Sequence, residues 1–146
     1  MKRIPALLLS LGCALGAQAQ SAGQAVYEKT CAACHQAGGK GMAGLAPALA
    51  GTLAPLLAAD DGRRYLAQVL VHGLSGRIVS QGLTFTGAMP GQTVLNDAEL
   101  AEVANYLARE LNDGKAAPYA AEEFAKLRGE KASHKDLRAV RERYLR

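Results

Sequence analysis

The chain has 146 residues, room for one folded unit and little more. With 49% hydrophobic and 21% charged residues it has a globular composition, which excludes disorder as the main state; a net charge of +4 with no basic run interleaved with aromatics excludes nucleic acid as a partner. Aromatic bulk is scarce: no Trp, two Phe and five Tyr leave much of the apolar content to alanine, so the centre of the fold needs another filler.

At the N-terminus, Lys2 and Arg3 precede an apolar run over residues 4–15, and Ala17-Gln18-Ala19 follows as a small-residue cleavage site. The run is shorter than the about 20 residues that span a bilayer, so residues 1–19 are predicted to be a signal peptide cleaved near Ala19/Gln20. The mature protein is then expected to be soluble outside the cytoplasm, with no membrane insertion; an uncleaved N-terminal anchor is the rival reading. Processing removes Cys13 along with the two basic residues, leaving Cys31 and Cys34 and a charge of +2, from 15 basic and 13 acidic residues.

Further along, Val26, Tyr27 and Thr30 share a face, predicting one helix over residues 21–34 that leads into the cysteines. A glycine-rich loop covers residues 35–51, and residues 60–74 read as helix again, starting at Asp61 or Gly62 with Leu66, Val69 and Leu70 inward. Residues 75–95 are rich in turn formers and predicted extended in pieces. Residues 96–111 give the clearest helix: Asn96 as cap, Glu99 as its capping-box partner, and Leu100, Val103, Leu107 and Leu111 as the buried stripe. Asn112-Asp113-Gly114 stops it.

Composition changes there. Residues 20–112 carry six basic and seven acidic side chains, net −1, whereas residues 113–146 carry nine and six, net +3. In this extension, residues 119–129 and 133–145 each support a short amphipathic helix, the second with Ser133 and Asp136 in capping-box spacing and Leu137, Val140 and Tyr144 on one side. The extension is expected either to pack on the body as a solvated helical pair or to face an acidic partner.

The chemistry lies in Cys31-Ala32-Ala33-Cys34-His35. A structural zinc site needs four ligands, and no second Cys or His pair exists, since His72 and His134 stand alone. A dithiol redox centre needs a preceding strand, where this chain has a helix. C-x-x-C-H is instead the attachment signature of c-type haem: two thiols bond the porphyrin edge and the adjacent histidine reaches the iron. Haem also supplies the missing core filler.

If haem binds, His35 needs an acceptor for its second ring nitrogen, and the carbonyl of Pro47, twelve residues on, is free in a loop. A sixth iron ligand is met by Met89, 54 residues after His35, where Pro90 keeps the preceding residue extended and Gly87 and Gly91 permit close approach. Met42 is too near His35 along the chain to reach round the ring. His72 is the lesser candidate ligand; otherwise it is a solvent-exposed residue or a partner of the helix dipole at a C-terminus, and His134 is a surface one.

These motifs, with Pro47, Leu49 and Gly51 of the PALAG stretch and Gly23, Tyr27 and Tyr106 as a helix crossing, resemble the class I c-type cytochromes over residues 22–112. Residues 69–76 with 87–91 are similar to small haem subunits that accompany periplasmic dehydrogenases. The resemblance implies an all-α fold wrapped round one covalent haem c. It also implies single-electron transfer in the periplasm with redox protein partners, a periplasmic dehydrogenase, a terminal oxidase or both, rather than enzymatic catalysis. Two alternatives stay open: a haem subunit fixed in a larger oxidoreductase, and a ligand sensor whose iron Met89 does not reach.

Overall fold

A computed structural model describes residues 20–145, so the signal-peptide reading of residues 1–19 lies outside the described residues. The helix expected over residues 21–34 is two helices, α1 (Ala22–Thr30) and α2 (Ala32–His35). Ser21 opens α1 by accepting the Gln24 N–H at 3.2 Å, and the chain turns at Cys31, where φ widens to −104°. Gln36, at φ +62°, ends α2. A 3₁₀ turn (Ala37–Gly39) leads into the loop and then α3 (Ala54–Leu57).

Helix α4 (Asp60–His72) starts earlier than expected. Ala59 offers no capping side chain, but Asp60 and Asp61 put two carboxylates in the first turn, where the helix dipole favours them. Residues 75–95 contain most of four three-residue strands, an addition to the all-α expectation. β1 (Gly73–Ser75) pairs antiparallel with β4 (Ala88–Pro90), placing Leu74 opposite Met89, and β2 (Ile78–Ser80) pairs with β3 (Leu83–Phe85). The Asn96–Glu99 capping box forms with both bonds at 2.9 Å and opens α5 (Asp97–Asn105). The helix then widens into a π-helical turn, with the Leu111 N–H reaching back to the Tyr106 carbonyl at 3.2 Å.

The predicted crossing is present. A β-carbon on Gly23 would sit 2.2 Å from the Glu102 carbonyl oxygen, so only glycine lets α1 lie against α5, and the Tyr27 and Tyr106 rings pack beside it with centroids 5.4 Å apart. The mainly helical frame agrees with the expected helical fold, the short strands being the departure from it.

The extension forms α6 (Ala121–Arg128) and α7 (His134–Tyr144) and packs on the body. α6 lies against α4 and α5, and α7 against α4 and β1. Tyr119, Phe124, Leu127, Leu137 and Leu145 are buried in the same hydrophobic cluster as Leu66, Leu70 and Leu100. Polar contacts fix it further: Asn105 and Tyr119 exchange two hydrogen bonds at 2.7 and 3.0 Å, and the Arg63 guanidinium lies 4.1 Å over the Tyr119 ring. Ser133 caps α7, accepting the Asp136 N–H at 3.4 Å; no reciprocal bond from the Asp136 carboxylate completes a box.

Candidate cofactor site

A cavity of about 250 Å³ with mostly apolar walls gathers the residues singled out from the sequence: Cys31, Cys34, His35, Pro47 and Met89 all line it. Tyr65, Leu70 and Phe85 add apolar lining. A larger depression of about 740 Å³ lies at the crossing of α1 and α5, lined by Ser21, Glu102, Arg109 and Glu110 among others. It is polar and open and holds neither cysteine nor histidine, so its size does not make it the cofactor site.

Cys31 is buried and Cys34 exposed, so the pair spans the cavity edge. Burial, with Cys34 adding to it, pushes the Cys31 thiol up to about 11. A raised pKa is the opposite of the shift toward thiolate that a catalytic dithiol uses, so burial of Cys31 does not favour the redox-pair reading.

His35 is 7% exposed, and its Nδ1 stands 2.9 Å from the Pro47 carbonyl oxygen. A carbonyl only accepts, so Nδ1 carries the proton and Nε2 keeps its lone pair. Burial holds the imidazole below its usual pKa, opposed by the bond to Pro47, so the ring is neutral, as metal ligation requires.

The Pro47 loop is placed by contacts that spacing alone did not reveal. Gly41, at φ +73°, lets the chain pass so close that a β-carbon there would lie 2.4 Å from the Ala48 nitrogen. Asn112, read from the sequence only as part of a helix stop, is buried and bridges three backbones. Its carbonyl accepts from the Leu53 N–H at 2.8 Å, and its amide donates to the carbonyls of Leu49 and Leu107 at 2.8 and 2.9 Å. No sequence period marks this role; a helix-end Asn next to Asp-Gly looks like an ordinary terminator.

Met89 is partly buried and extended in β4, as the following proline favours. Close approach occurs at Gly91, where a β-carbon would lie 2.4 Å from the Val71 carbonyl oxygen, and at Gly73, 2.4 Å from that of Met89. Gly87, given the same task from the sequence, has open space around it, its nearest neighbour atom 4.0 Å away.

Met42 is 45% exposed and outside the cavity lining. His72 is also outside it: its Nε2 lies 3.1 Å from the Leu127 carbonyl oxygen, fastening α4 to α6. That corrects the readings of His72 as lesser ligand and as solvent-exposed residue, while its place in the last turn of α4 is the one expected of a helix-dipole partner. His134 likewise binds within the fold, its Nδ1 2.6 Å from Ser75 Oγ.

Arg141 joins the site without a motif to mark it. It lines the cavity from α7 at 5% exposure, although it stands four residues after the buried Leu137, a spacing that places it on the inward stripe.

Residues 18–107 match the family described as "Cytochrome C oxidase, cbb3-type, subunit III". A "Cytochrome c-552" of Thermus thermophilus is 40% identical over 148 aligned positions, covering 98% of this chain and 97% of that protein. A second "Cytochrome c-552" of Thermus thermophilus is 39% identical over 128, covering 85% and 97%. The chain belongs to the c-type cytochromes.

This cytochrome carries covalently bound haem c at its one C-x-x-C-H motif and transfers electrons rather than catalysing a reaction on a substrate. Its cavity fits that group: apolar walls, paired thiols at the edge and a buried neutral imidazole. Among the described residues no helix is long and apolar enough to cross a membrane.

Proposed function

We propose that the protein is a periplasmic single-electron carrier whose haem is tethered through Cys31 and Cys34 and whose iron is held by His35 and Met89. The observation that carries this reading is that His35 and Met89 line one cavity while the Nδ1 proton of His35 is engaged by Pro47, leaving Nε2 as the metal-facing nitrogen. The haem iron supplies one-electron redox chemistry when bound. The chain holds the ring neutral and oriented, offers a thioether sulfur that favours a higher potential than a second imidazole, and excludes water with Leu70, Leu74 and Phe85.

Residues 1–19 serve as the export signal, residues 20–112 as the haem-binding unit and residues 113–146 as its extension. Electrons come from a periplasmic dehydrogenase and pass toward a terminal oxidase, the latter supported by the oxidase wording of the family description. The same wording favours a second reading, a subunit fixed in such a complex. Purification from native membranes separates the two: a fixed subunit stays with its complex through high salt, and a carrier washes free.

Met89→Ala tests the ligand set. The oxidised wild type is expected to show a sulfur–iron charge-transfer band in the far red and, when reduced, to resist carbon monoxide; the variant should lose the band and bind the gas. A wild type that lacks the band and takes up carbon monoxide at once would establish the sensor reading instead.

A further inference from the structure

Arg141 is a buried cation without a counter-ion. Among the described residues its guanidinium forms no salt bridge: its Nη2 reaches the Val79 carbonyl at 3.3 Å, and its Nε is fully buried with no hydrogen-bond partner. An arginine stays charged in a protein, and burying that charge unpaired costs several kcal/mol, so a position like this persists where an anion meets it.

The cavity lining offers no anion. Its ionisable side chains are Cys31, Cys34, His35, Tyr65 and Arg141, with no Asp, Glu or Lys. An imidazole carries no negative charge, and Cys31 and Cys34 become uncharged thioethers when they bond the haem. Tyr65, 5% exposed, is pushed up by burial and drawn back only in part by the adjacent Arg141, so its phenol stays protonated. Arg141 is therefore the one permanent charge on the wall of a cavity whose occupant bears two carboxylates, the haem propionates.

We propose that Arg141 of the C-terminal extension is the internal counter-ion of a haem propionate, its free Nε–H and guanidinium fork binding the carboxylate. The extension then completes the cofactor site, and α7 is coupled to the charge on the haem. This rests on the haem assignment and is independent of whether Met89 ligates the iron. A fork-to-carboxylate pair is the arrangement arginine favours over lysine, and a fixed positive charge there keeps the propionate ionised and opposes the added positive charge of the ferric state.

The test uses the haem-loaded protein and three variants: Arg141→Gln, Arg141→Lys and, as a charge-matched control on the exposed face of the same helix, Lys135→Gln. Propionate ionisation is followed by NMR of the propionate methylenes, and the midpoint potential is measured against pH. Arg141→Gln should raise the propionate pKa by about 1–3 pH units and lower the potential, Arg141→Lys should give a smaller displacement, and Lys135→Gln should leave the ionisation in place. Arg141→Gln titrating like Lys135→Gln would overturn the proposal.

A readout on the wild type needs no variant to fold. In nitrogen-15-labelled protein the Arg141 Nε–H should be a slowly exchanging resonance with cross-peaks to propionate protons, and a rapidly exchanging Nε–H without them overturns the pairing. The haem mass, measured on the same sample, tests the cofactor separately.

Discussion

His35 and Met89 line one cavity, yet the polypeptide around each is restrained by different parts of the chain. The His35 side is held from within the body: Pro47 takes the ring proton, Gly41 lets the loop cross itself, and Asn112 ties Leu49 and Leu53 to the end of the last body helix. On the Met89 side, β1 and β4 hold each other by only three residue pairs, and beyond β1 the support comes from the extension. His134 binds Ser75, Arg138 donates to the Ser75 carbonyl, and Arg141 reaches Val79. A segment resembling an appended tail is thus the outer brace of the strand pair that carries Met89.

Removing the anchor of that brace should do the most damage. Phe124 is fully buried, 6.1 Å from the Tyr119 ring, and Phe124→Ala should cost about 3–5 kcal/mol. If the extension braces the Met89 side, thermal titration of this variant should lose the far-red band well before the His35 side opens, while the haem stays covalently attached. Simultaneous loss at an unchanged Tm would mean the extension carries no load.

The reciprocal variant acts on the other side. Asn112→Ala leaves the Leu53 N–H and the Leu49 carbonyl without partners in a buried setting, at a cost of about 2–4 kcal/mol. Hydrogen exchange at the Leu53 amide should accelerate sharply, with β1 and β4 protected as in the wild type. Equal loss of protection in both places would dissolve the distinction between the two sides.

Much of the His35 side was legible in the sequence because its chemistry is local: Cys31, Cys34 and His35 fall within five residues, and Pro47 follows twelve later in a loop that cannot be helical. Met89 was legible from its Gly and Pro neighbours, although Gly87 proved to have no close neighbour to accommodate. The strand pairs were not, since three-residue strands leave no alternation to read, and the break at Cys31 disrupts a helix whose apolar spacing continues through it. The long-range polar contacts were the least visible. Asn112, His72, His134 and Arg141 each bond a residue at least 55 positions away, and a polar side chain gives no local sign of such a distant partner even where, as for Arg141, the spacing puts it on the inward stripe.

A weaker perturbation probes how the brace meets β1. His134→Ala removes one partly buried bond to Ser75 and should cost about 1 kcal/mol, lowering the temperature at which the far-red band disappears without altering Leu53 exchange. An unchanged band with faster Leu53 exchange would place His134 with the His35 side instead.

The mildest perturbation is an acid one, at the far end of α7. The Tyr144 hydroxyl donates to Asp61 Oδ1 at 2.6 Å and Arg143 pairs with Oδ2 at 2.6 Å, so the hydrogen bond first and then the arginine hold the Asp61 carboxyl below its usual range, against some desolvation. A carboxyl whose folded pKa is depressed contributes stability above its unfolded value of about 3.9 and loses it as pH falls through the folded value. The tie from α7 to α4 is therefore intact at neutral pH and released in strong acid. Protection of the Leu145 amide, which donates to the Arg141 carbonyl at 2.8 Å, should fall below pH about 3.9 in the wild type and show no such step in Asp61→Asn. Because Asp61 is open to solvent and the Phe124 anchor remains, the far-red band should persist through this step; its loss there would show that the last turn of α7, and not the buried core of the extension, is what steadies the Met89 strand.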